Sequence, residues 1–249
     1  MKPVVFSIVT AIFLTVASVR AEVFVSVYGG WVNTEETDVH YKQGNNDLTF
    51  HGVQWDDQSF EGSPYGGYKL GYWFESAPHW GISAEWIHAK MVADLGQNVS
   101  VTGTRGGSAV NDTERLGNTF NNLQFTHGHN FGLLNVHYRW FLTRPGDKSF
   151  FSRIEPYAGV GAGFAWPHVE INTVSPASDT EDYQLPAGFA CQGFAGVNLR
   201  LAKYVSLFTE LKLTYADIDA DLPGGSLDTD PFSEHLVLGL SVNFGSAKR

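Results

Sequence analysis

The stretch from His235 to Phe244 reads HLVLGLSVNF and gives the clearest indication of the fold. Apolar and polar residues alternate along it. One face carries Leu236, Leu238, Leu240, Val242 and Phe244, and the other carries His235, Val237, Gly239, Ser241 and Asn243. Alternation with a period of two predicts a β-strand whose two faces meet different surroundings.

The same alternation recurs along the whole chain. It predicts eight strands, at about residues 23–33, 64–75, 79–91, 130–142, 153–169, 188–201, 204–216 and 234–244. The connections alternate between long loops of about 17 to 40 residues and short turns around residues 75–78, 144–149 and 202–203. This rhythm is typical of an outer-membrane barrel, with short periplasmic turns and long outer loops. The predicted fold is an all-β, eight-stranded, antiparallel up-and-down transmembrane β-barrel.

A soluble barrel such as a lipocalin is the rival interpretation, because alternation does not tell which face points inward. Three features favour the membrane. The polar faces hold charges that an apolar ligand cavity would reject (Glu85, Arg139, Arg200, Glu210 and Lys212). Aromatic residues stand near strand ends, as interfacial girdles require (Trp31, Trp73, Trp80, Trp140, Trp166 and Tyr204). The last strand closes on Phe244, five residues before the end.

The first 21 residues have the pattern of a secretory signal peptide, with Lys2, an apolar run over 4–16 and small residues up to Ala21. The alternative is an N-terminal membrane anchor, for which the apolar run is short. We expect residues 22–249 to form a single barrel domain. Loss of Lys2 and Arg20 changes the formal charge from −10 to −12. This acidity disfavours nucleic acid as a partner.

Ionisable residues crowd the predicted outer rim, where strands 3, 5 and 7 end and strands 4, 6 and 8 begin. Imidazoles and carboxylates on neighbouring strands are the side chains that form acid–base or divalent-metal sites. The candidate catalytic residues are His88, Lys90, His168 and Glu170, with Lys90 placed near a substrate phosphate. The candidate ligands of a divalent metal ion are His127, His129, Asp219 and Asp221. The spacing does not identify the cofactor.

Two other interpretations of the rim remain open. It is a solvated edge of polar loops, or its acidic loops hold divalent ions that bridge to lipopolysaccharide phosphates. In the lumen, we expect Glu85 or Glu210 to form structural salt bridges with Arg139 or Lys212. An eight-stranded barrel is too narrow for an open pore.

The stretch PYAGVGAGFAWPHVEI, residues 156–171, resembles a phosphate-binding loop at first sight. Its glycines at 159, 161 and 163 are spaced by two, and no helix follows, so the dinucleotide pattern is not met. Spacing by two places them on the lumen face of a strand, with Trp166 on the opposite face. Pro167 is expected to end regular pairing, which leaves His168 and Glu170 at the rim.

Several segments resemble the outer-membrane lipid A oxidase-like proteins, within the OmpA/opacity-type eight-stranded barrels. The matching segments are SFEGSPYGG (59–67), HWGISAEWIHAKMVAD (79–94), LQFTHGHN (123–130), PYAGVGAGFAWPHVE (156–170), YQLPAG (183–188) and DADLPGGSLDTD (219–230). The resemblance covers about residues 60–244 and carries no residue-level catalytic assignment.

This resemblance implies oxygen-dependent oxidation of the proximal glucosamine of lipid A to 2-aminogluconate. It also implies an outer-membrane location, with outer-membrane lipids and lipopolysaccharide as partners, and we expect a monomer in the membrane. Two alternatives stay open. One is a non-enzymatic surface barrel for membrane integrity or adhesion, and the other is a lipid A deacylase that uses a serine beside a histidine.

Overall fold

The computed structural model describes residues 22–245, apart from the side chain of His127. Within that range sixteen strands occur: β1 (Glu22–Thr34), β2 (Thr37–Gln43), β3 (Asn46–Val53), β4 (Trp55–Asp56), β5 (Gly66–Trp73), β6 (Trp80–Ala93), β7 (Asn98–Arg105), β8 (Ser108–Arg115), β9 (Phe120–Arg139), β10 (Ile154–Val174), β11 (Ala177–Tyr183), β12 (Gly188–Arg200), β13 (Val205–Ala216), β14 (Ile218–Leu222), β15 (Gly225–Thr229) and β16 (Phe232–Phe244). Neither short helical turn between residues 22 and 245 is long and apolar enough to cross a membrane. The predicted signal peptide, residues 1–21, lies outside the described residues.

Eight of these strands close into a barrel. The antiparallel order is β1, β5, β6, β9, β10, β12, β13 and β16, and β16 pairs back to β1. The predicted eight-stranded antiparallel barrel is therefore confirmed. We call the end with the three short connections the turn end, and the end with the long connections the loop end.

The long connections also form strands, which the sequence did not predict. Strands β14, β15, β2, β3, β7 and β8 pair in that order into a second, six-stranded sheet. β9 and β10 continue past the barrel to Phe120 and Val174, whereas the predicted strands stop near residues 130 and 169. Pro167 does not end β10, although the register with β9 shifts between Pro167 and Glu170. We call the second sheet, with β4, β11 and the loop-end extensions of β6, β9 and β10, the cap.

The cap has its own apolar core, because its short strands also alternate. Val39 and Tyr41 of β2 and Leu48 and Phe50 of β3 are fully buried, while the residues between them face outward. Phe120 lies at the centre, with its ring edge-on to Tyr41 and Phe50 at centroid distances of 5.3 Å each. Edge-on packing of this kind adds to the stabilisation from burial itself. The cap is therefore a folded continuation of the barrel.

The outward face of the barrel is apolar on every strand. Large exposed apolar residues include Val25, Leu70, Ile82, Leu134, Val160, Phe189, Leu211 and Leu238, one from each barrel strand in chain order. Leu134 is 73% exposed and Leu211 is 65% exposed. A continuous belt of this kind is not found on soluble monomers, and it matches the surface that a bilayer solvates. Trp31, Trp80 and Trp140 stand on this exterior as predicted, but Trp73 is buried in the lumen against Phe24 and Arg139.

The lumen is filled by a charged network that packs among aromatic rings, including those of Phe194 and Phe208. Lys212 donates to Glu85 at 2.5 Å and lies 2.7 Å from a Glu210 oxygen. Lys69 donates to both Glu210 oxygens at 2.7 and 2.8 Å. The two carboxylates are thus balanced by two ammonium groups, so these four charges sum to zero, as a dry interior requires.

Neutral donors complete the network. Tyr28 and Tyr157 donate to Glu85 and Glu210 at 2.5 and 2.8 Å. Asn135 and Gln192 both donate to the second Glu85 oxygen. The predicted lumen salt bridges of Lys212 are present.

Arg139 departs from the prediction. It pairs with Glu22 and Glu155 at the turn end, at 2.8 and 3.7 Å. Its guanidinium also lies 4.2 Å from the centre of the Trp73 ring. Arg139 therefore fills the turn end of the lumen and is not a partner of Glu85 or Glu210.

The predicted lumen position of the alternating glycines is confirmed. A Cβ on Gly159 would overlap the Phe194 ring, and one on Gly161 would overlap the Asn135 amide. Both neighbours point into the barrel. These glycines make room for the large side chains of the lumen.

Lys212 offers a direct test of the lumen network. We expect Lys212→Met to lower the free energy of unfolding by about 3–5 kcal/mol, because two buried carboxylates then share the single cation Lys69. Urea unfolding in lipid vesicles, followed by tryptophan fluorescence, measures this loss. Lys42→Met is the control, since Lys42 is 61% exposed and its ion pair with Asp47 is expected to contribute at most about 1 kcal/mol. Adding Glu210→Gln to the Lys212→Met variant restores the charge balance and should recover part of the lost stability. Equal losses in Lys212→Met and Lys42→Met would contradict the role of Lys212 in balancing the buried carboxylates.

Asp57 anchors the cap to the barrel mouth. The Thr34 amide and hydroxyl donate to its two oxygens at 2.8 and 2.5 Å. Burial raises the pKa of Asp57 from 3.8 to about 6, against the opposing effect of these hydrogen bonds. The folded state therefore binds a proton more tightly than the unfolded state does.

It follows that the stability due to Asp57 is largest below pH 4 and falls as the pH rises to about 6. We expect Asp57→Asn to remove this decline, because the amide keeps an acceptor for the Thr34 amide and has no charge to bury. Unfolding midpoints of both proteins between pH 4 and 7 check the prediction. A decline of the same size in both would show that other groups cause it.

Candidate functional site at the loop end

Three neighbouring barrel strands bring polar side chains to the exterior wall at the loop end. His88 and Lys90 stand on the outward face of β6, Asn130 on β9, and His168 and Glu170 on β10. In the register of the sheet His88 lies opposite Asn130, which lies opposite Trp166. We call these five residues, His88, Lys90, Asn130, His168 and Glu170, the polar band. All four candidate catalytic residues belong to it.

His88 forms one side of the band. Its Nδ1 lies 3.0 Å from the Asn130 side-chain oxygen, and its ring stacks on Trp86 with centroids 5.8 Å apart. Trp86 in turn stacks on Tyr68. The other ring nitrogen, Nε2, is buried and has no hydrogen-bond partner among the described residues. Because Nδ1 faces an acceptor, it carries the proton in the neutral ring, which leaves Nε2 as a free acceptor.

His168 and Glu170 form the other side. His168 Nδ1 lies 3.2 Å from Glu170 Oε1, and the Tyr183 ring lies edge-on to the imidazole at 4.5 Å. Glu170 also accepts from Gln124 at 2.6 Å and from the Thr126 hydroxyl. A carboxylate that orients an imidazole through Nδ1 favours proton transfer at the opposite nitrogen. The pair has the composition of a general acid–base site.

Lys90 is held above His88 on the same face of β6. It is 5% exposed, and its Nζ donates to the carbonyl of Glu61 in the segment before β5. This places a positive charge on the exterior at the level of the cap. The position agrees with the expected role beside a phosphate, which stays a prediction.

The candidate metal ligands lie in different places. His129 points into the lumen, fully desolvated, against Phe131 and Phe125, and neither ring nitrogen has a hydrogen-bond partner within residues 22–245. Asp219 and Asp221 are on the exposed face of β14. Burial and repulsion from Asp228 raise the pKa of Asp219. His127 lies in β9, and its side chain is outside the described part of the structure.

No three histidine, cysteine or acidic side chains among the described residues are arranged to hold a metal ion. The donor set that the structure describes therefore does not fit a divalent ion, and no step is derived through one. His88, His168 and Asp219 all lie at the loop end, but only the first two share the polar band.

Sequence reasoning missed the neutral partners of the band. Asn130, Gln124 and Thr126 come from β9, and the first two lie opposite His88 and Glu170 in the sheet. Gln124 and Thr126 alternate with the buried residues Leu123 and Phe125. This alternation is the sequence pattern that indicates that β9 extends towards Phe120. The irregular stretch between Phe125 and His129 obscures it.

No family model matches the chain, and no curated protein matches its sequence. Solved structures do resemble it. The outer membrane protein OprG from Pseudomonas aeruginosa is 13% identical, with a TM-score of 0.39, over 91% of this chain and 97% of that one. The outer membrane protease OmpT from Escherichia coli is 9% identical, with a TM-score of 0.42, over 92% and 100%. Neisserial surface protein A is 8% identical, with a TM-score of 0.38, over 90% and 97%.

The hydrogen bonds of Glu170 lead to a stability prediction. We expect Glu170→Gln to destabilise the loop-end parts of β9 and β10 by about 1–3 kcal/mol. A glutamine side chain has one accepting oxygen where the carboxylate has two, so either the Gln124 amide or the Thr126 hydroxyl loses its acceptor. Hydrogen–deuterium exchange of the amides at 122–126 and 168–172 measures the effect. Asp179→Asn, an acidic residue of β11, is the control. Unchanged exchange in Glu170→Gln would show that the carboxylate does not hold these strands together.

Proposed function

We propose that this protein is an outer-membrane β-barrel that acts on lipid A through the polar band. One observation carries the proposal. The band lies on the exterior wall immediately above the stacked Tyr68 and Trp86 rings, at the edge of the apolar belt. Aromatic rows mark the level of lipid head groups in membrane barrels. The side chains of the band belong to the outer side of this wall rather than to the lumen.

The architecture supports an outer-membrane location for the chain. Its wall is apolar outside, and its lumen is polar and filled. Strands satisfy their backbone hydrogen bonds in a bilayer only when the sheet is closed, and this sheet closes from β16 to β1. The charged network around Lys212 occupies the lumen, so conduction is not the proposed activity.

The reaction we propose is oxidation of the proximal glucosamine of lipid A to 2-aminogluconate. The support is the placement of the segments that resemble lipid A oxidase-like proteins. Residues 79–94, 123–130 and 156–170 lie on β6, β9 and β10, which are neighbours, and their polar residues meet in the band. In a lipid A whose C1 carries a free hydroxyl, the anomeric carbon would lose two electrons and two protons to dioxygen, giving a lactone and hydrogen peroxide. Water then opens the lactone, for a net gain of one oxygen atom.

In this reaction the protein's own residues would handle protons and position the sugar. His168, oriented by Glu170, is the candidate base for the anomeric hydroxyl proton. Lys90 is the candidate partner of a lipid A phosphate, because an ammonium group attracts that anion at the membrane surface.

A non-enzymatic surface barrel is the second candidate, and the cap favours it. A cap with its own apolar core presents a rigid surface outside the membrane, which suits adhesion or structural support. Deleting the β7–β8 hairpin should then abolish surface binding while lipid A stays unmodified in every strain.

Mass spectrometry of lipid A tests the enzymatic proposal. Cells that make the protein under air should contain a lipid A species heavier by about 16 Da, roughly one oxygen atom, and cells without the protein should not. We expect His168→Ala to lower its rate of formation about 10²- to 10⁴-fold, the usual contribution of a general base. His40→Ala, which removes a half-exposed histidine of the cap sheet, should have no effect.

The outcomes separate the two functions. If the wild-type protein yields no such species, oxidation is wrong. If the species forms equally in His88→Ala and His168→Ala, the enzyme acts elsewhere and the polar band is not its site.

A further inference from the structure

A trough crosses the exterior wall of the barrel next to His88. It runs from Leu238 and Leu240 on β16, over β1 and β5, to Trp86 and His88 on β6. It encloses about 750 Å³ and is open along its length. The trough opens to the exterior, and Tyr28, which donates to Glu85 in the lumen, also contributes to its lining.

The trough exists because two outward positions carry no side chain. The pairing of β1 with β5 ends at Gly29 opposite Gly66, and both residues face outward. A Cβ added to Gly29 would meet only the Tyr65 carbonyl oxygen, at 3.4 Å, an ordinary contact. The backbone of Gly29 does not require glycine for its conformation. Its missing side chain therefore leaves free space rather than relieving a clash.

The two sides of the trough are apolar and the end nearest the cap is polar. Leu238 and Leu240, 59% and 48% exposed, form one side, and the stacked Tyr68 and Trp86 form the other. At the cap end stands His88, whose Nε2 has no partner among the described residues, with the Lys90 ammonium two residues further along the same face. The trough thus has an apolar length that ends at His88, and the buried Lys90 lies just beyond that end, bonded to the Glu61 carbonyl.

We propose that this trough binds one acyl chain of a phosphorylated outer-leaflet lipid, with the head group at His88 and Lys90. The trough is continuous with the apolar belt, so lipid chains reach it directly from the bilayer. Lys90 would exchange its bond to the Glu61 carbonyl for a lipid phosphate, and Nε2 of His88 would accept a hydrogen bond from a lipid hydroxyl or amide. The proposal rests on the membrane placement given above, and it adds the site that would hold the substrate beside the acid–base pair.

Filling the trough tests the proposal. Gly29→Leu places a side chain on its floor, and Gly193→Leu is the matched control. Gly193 faces outward on β12, away from the trough, and a Cβ there meets nothing within 4 Å. Native mass spectrometry of the detergent-purified full chain, incubated with hexa-acylated lipid A, reports the bound fraction. We expect Gly29→Leu to weaken binding at least tenfold and Gly193→Leu to match the wild type.

Binding experiments with two further ligands identify which part of the lipid the protein recognises. His88→Ala should weaken binding of lipid A but not of dodecane, which has a chain and no hydroxyl, amide or phosphate. Phosphatidylglycerol distinguishes general recognition of phosphorylated lipids from selection of lipid A. If Gly29→Leu does not fold, Gly29→Ala, whose Cβ makes only the 3.4 Å contact, takes its place with a smaller expected loss.

Equal lipid binding by the wild type, Gly29→Leu and Gly29→Ala would overturn the proposed lipid site, whether or not the heavier, oxidised lipid A forms in cells. Trough-dependent binding without that species would instead overturn the oxidation and leave the lipid site standing.

Discussion

Four buried charges in the lumen must balance one another, because none of them is exposed to solvent. Lys69 and Lys212 neutralise Glu85 and Glu210, and all four side chains are 4% exposed or less. Phe194 and Asn135 pack beside this network, and they fit because glycines on β10 carry no side chain there. The charged groups and the aromatic rings around them fill the middle of the lumen, while the outward positions of the same strands carry large apolar residues. One balanced network thus closes the aqueous path through the barrel.

With the interior filled, the exterior wall and the cap remain as places for function. The polar band uses β6, β9 and β10 as a rigid base, which holds its side chains better than loops would. Its two histidines differ in their surroundings. His88 is packed against aromatic rings and keeps an accepting nitrogen, whereas His168 is coupled to a carboxylate. The arrangement suits one residue that contacts a ligand and another that moves a proton.

The alternation of residues is sufficient to predict the barrel, because a period of two sustained over ten residues fits a strand and does not fit a helix. It also places Gly159 and Gly161 in the lumen. The same rule holds in the cap, where Val39 and Tyr41 alternate with polar residues, but a strand of seven residues that ends beside Gly44 is hard to distinguish from a loop.

The candidate site was predictable only in part. Strand order brings His88 and His168 to one end of the barrel. Their partners do not follow from strand order, since the register shift beside Pro167 cannot be counted from the sequence. His129 was predicted at the rim and lies in the lumen, because nothing in its spacing distinguishes inward from outward beside a bulge.

β9 and β10 run without interruption from the turn end through the membrane-facing wall into the cap. Along these two strands the described cap consequently meets the barrel without a hinge. A force applied to the cap would load the long β9–β10 ladder in shear, so many of its hydrogen bonds would share that force at once. We expect a pull on the cap to be carried along these two strands into the barrel wall.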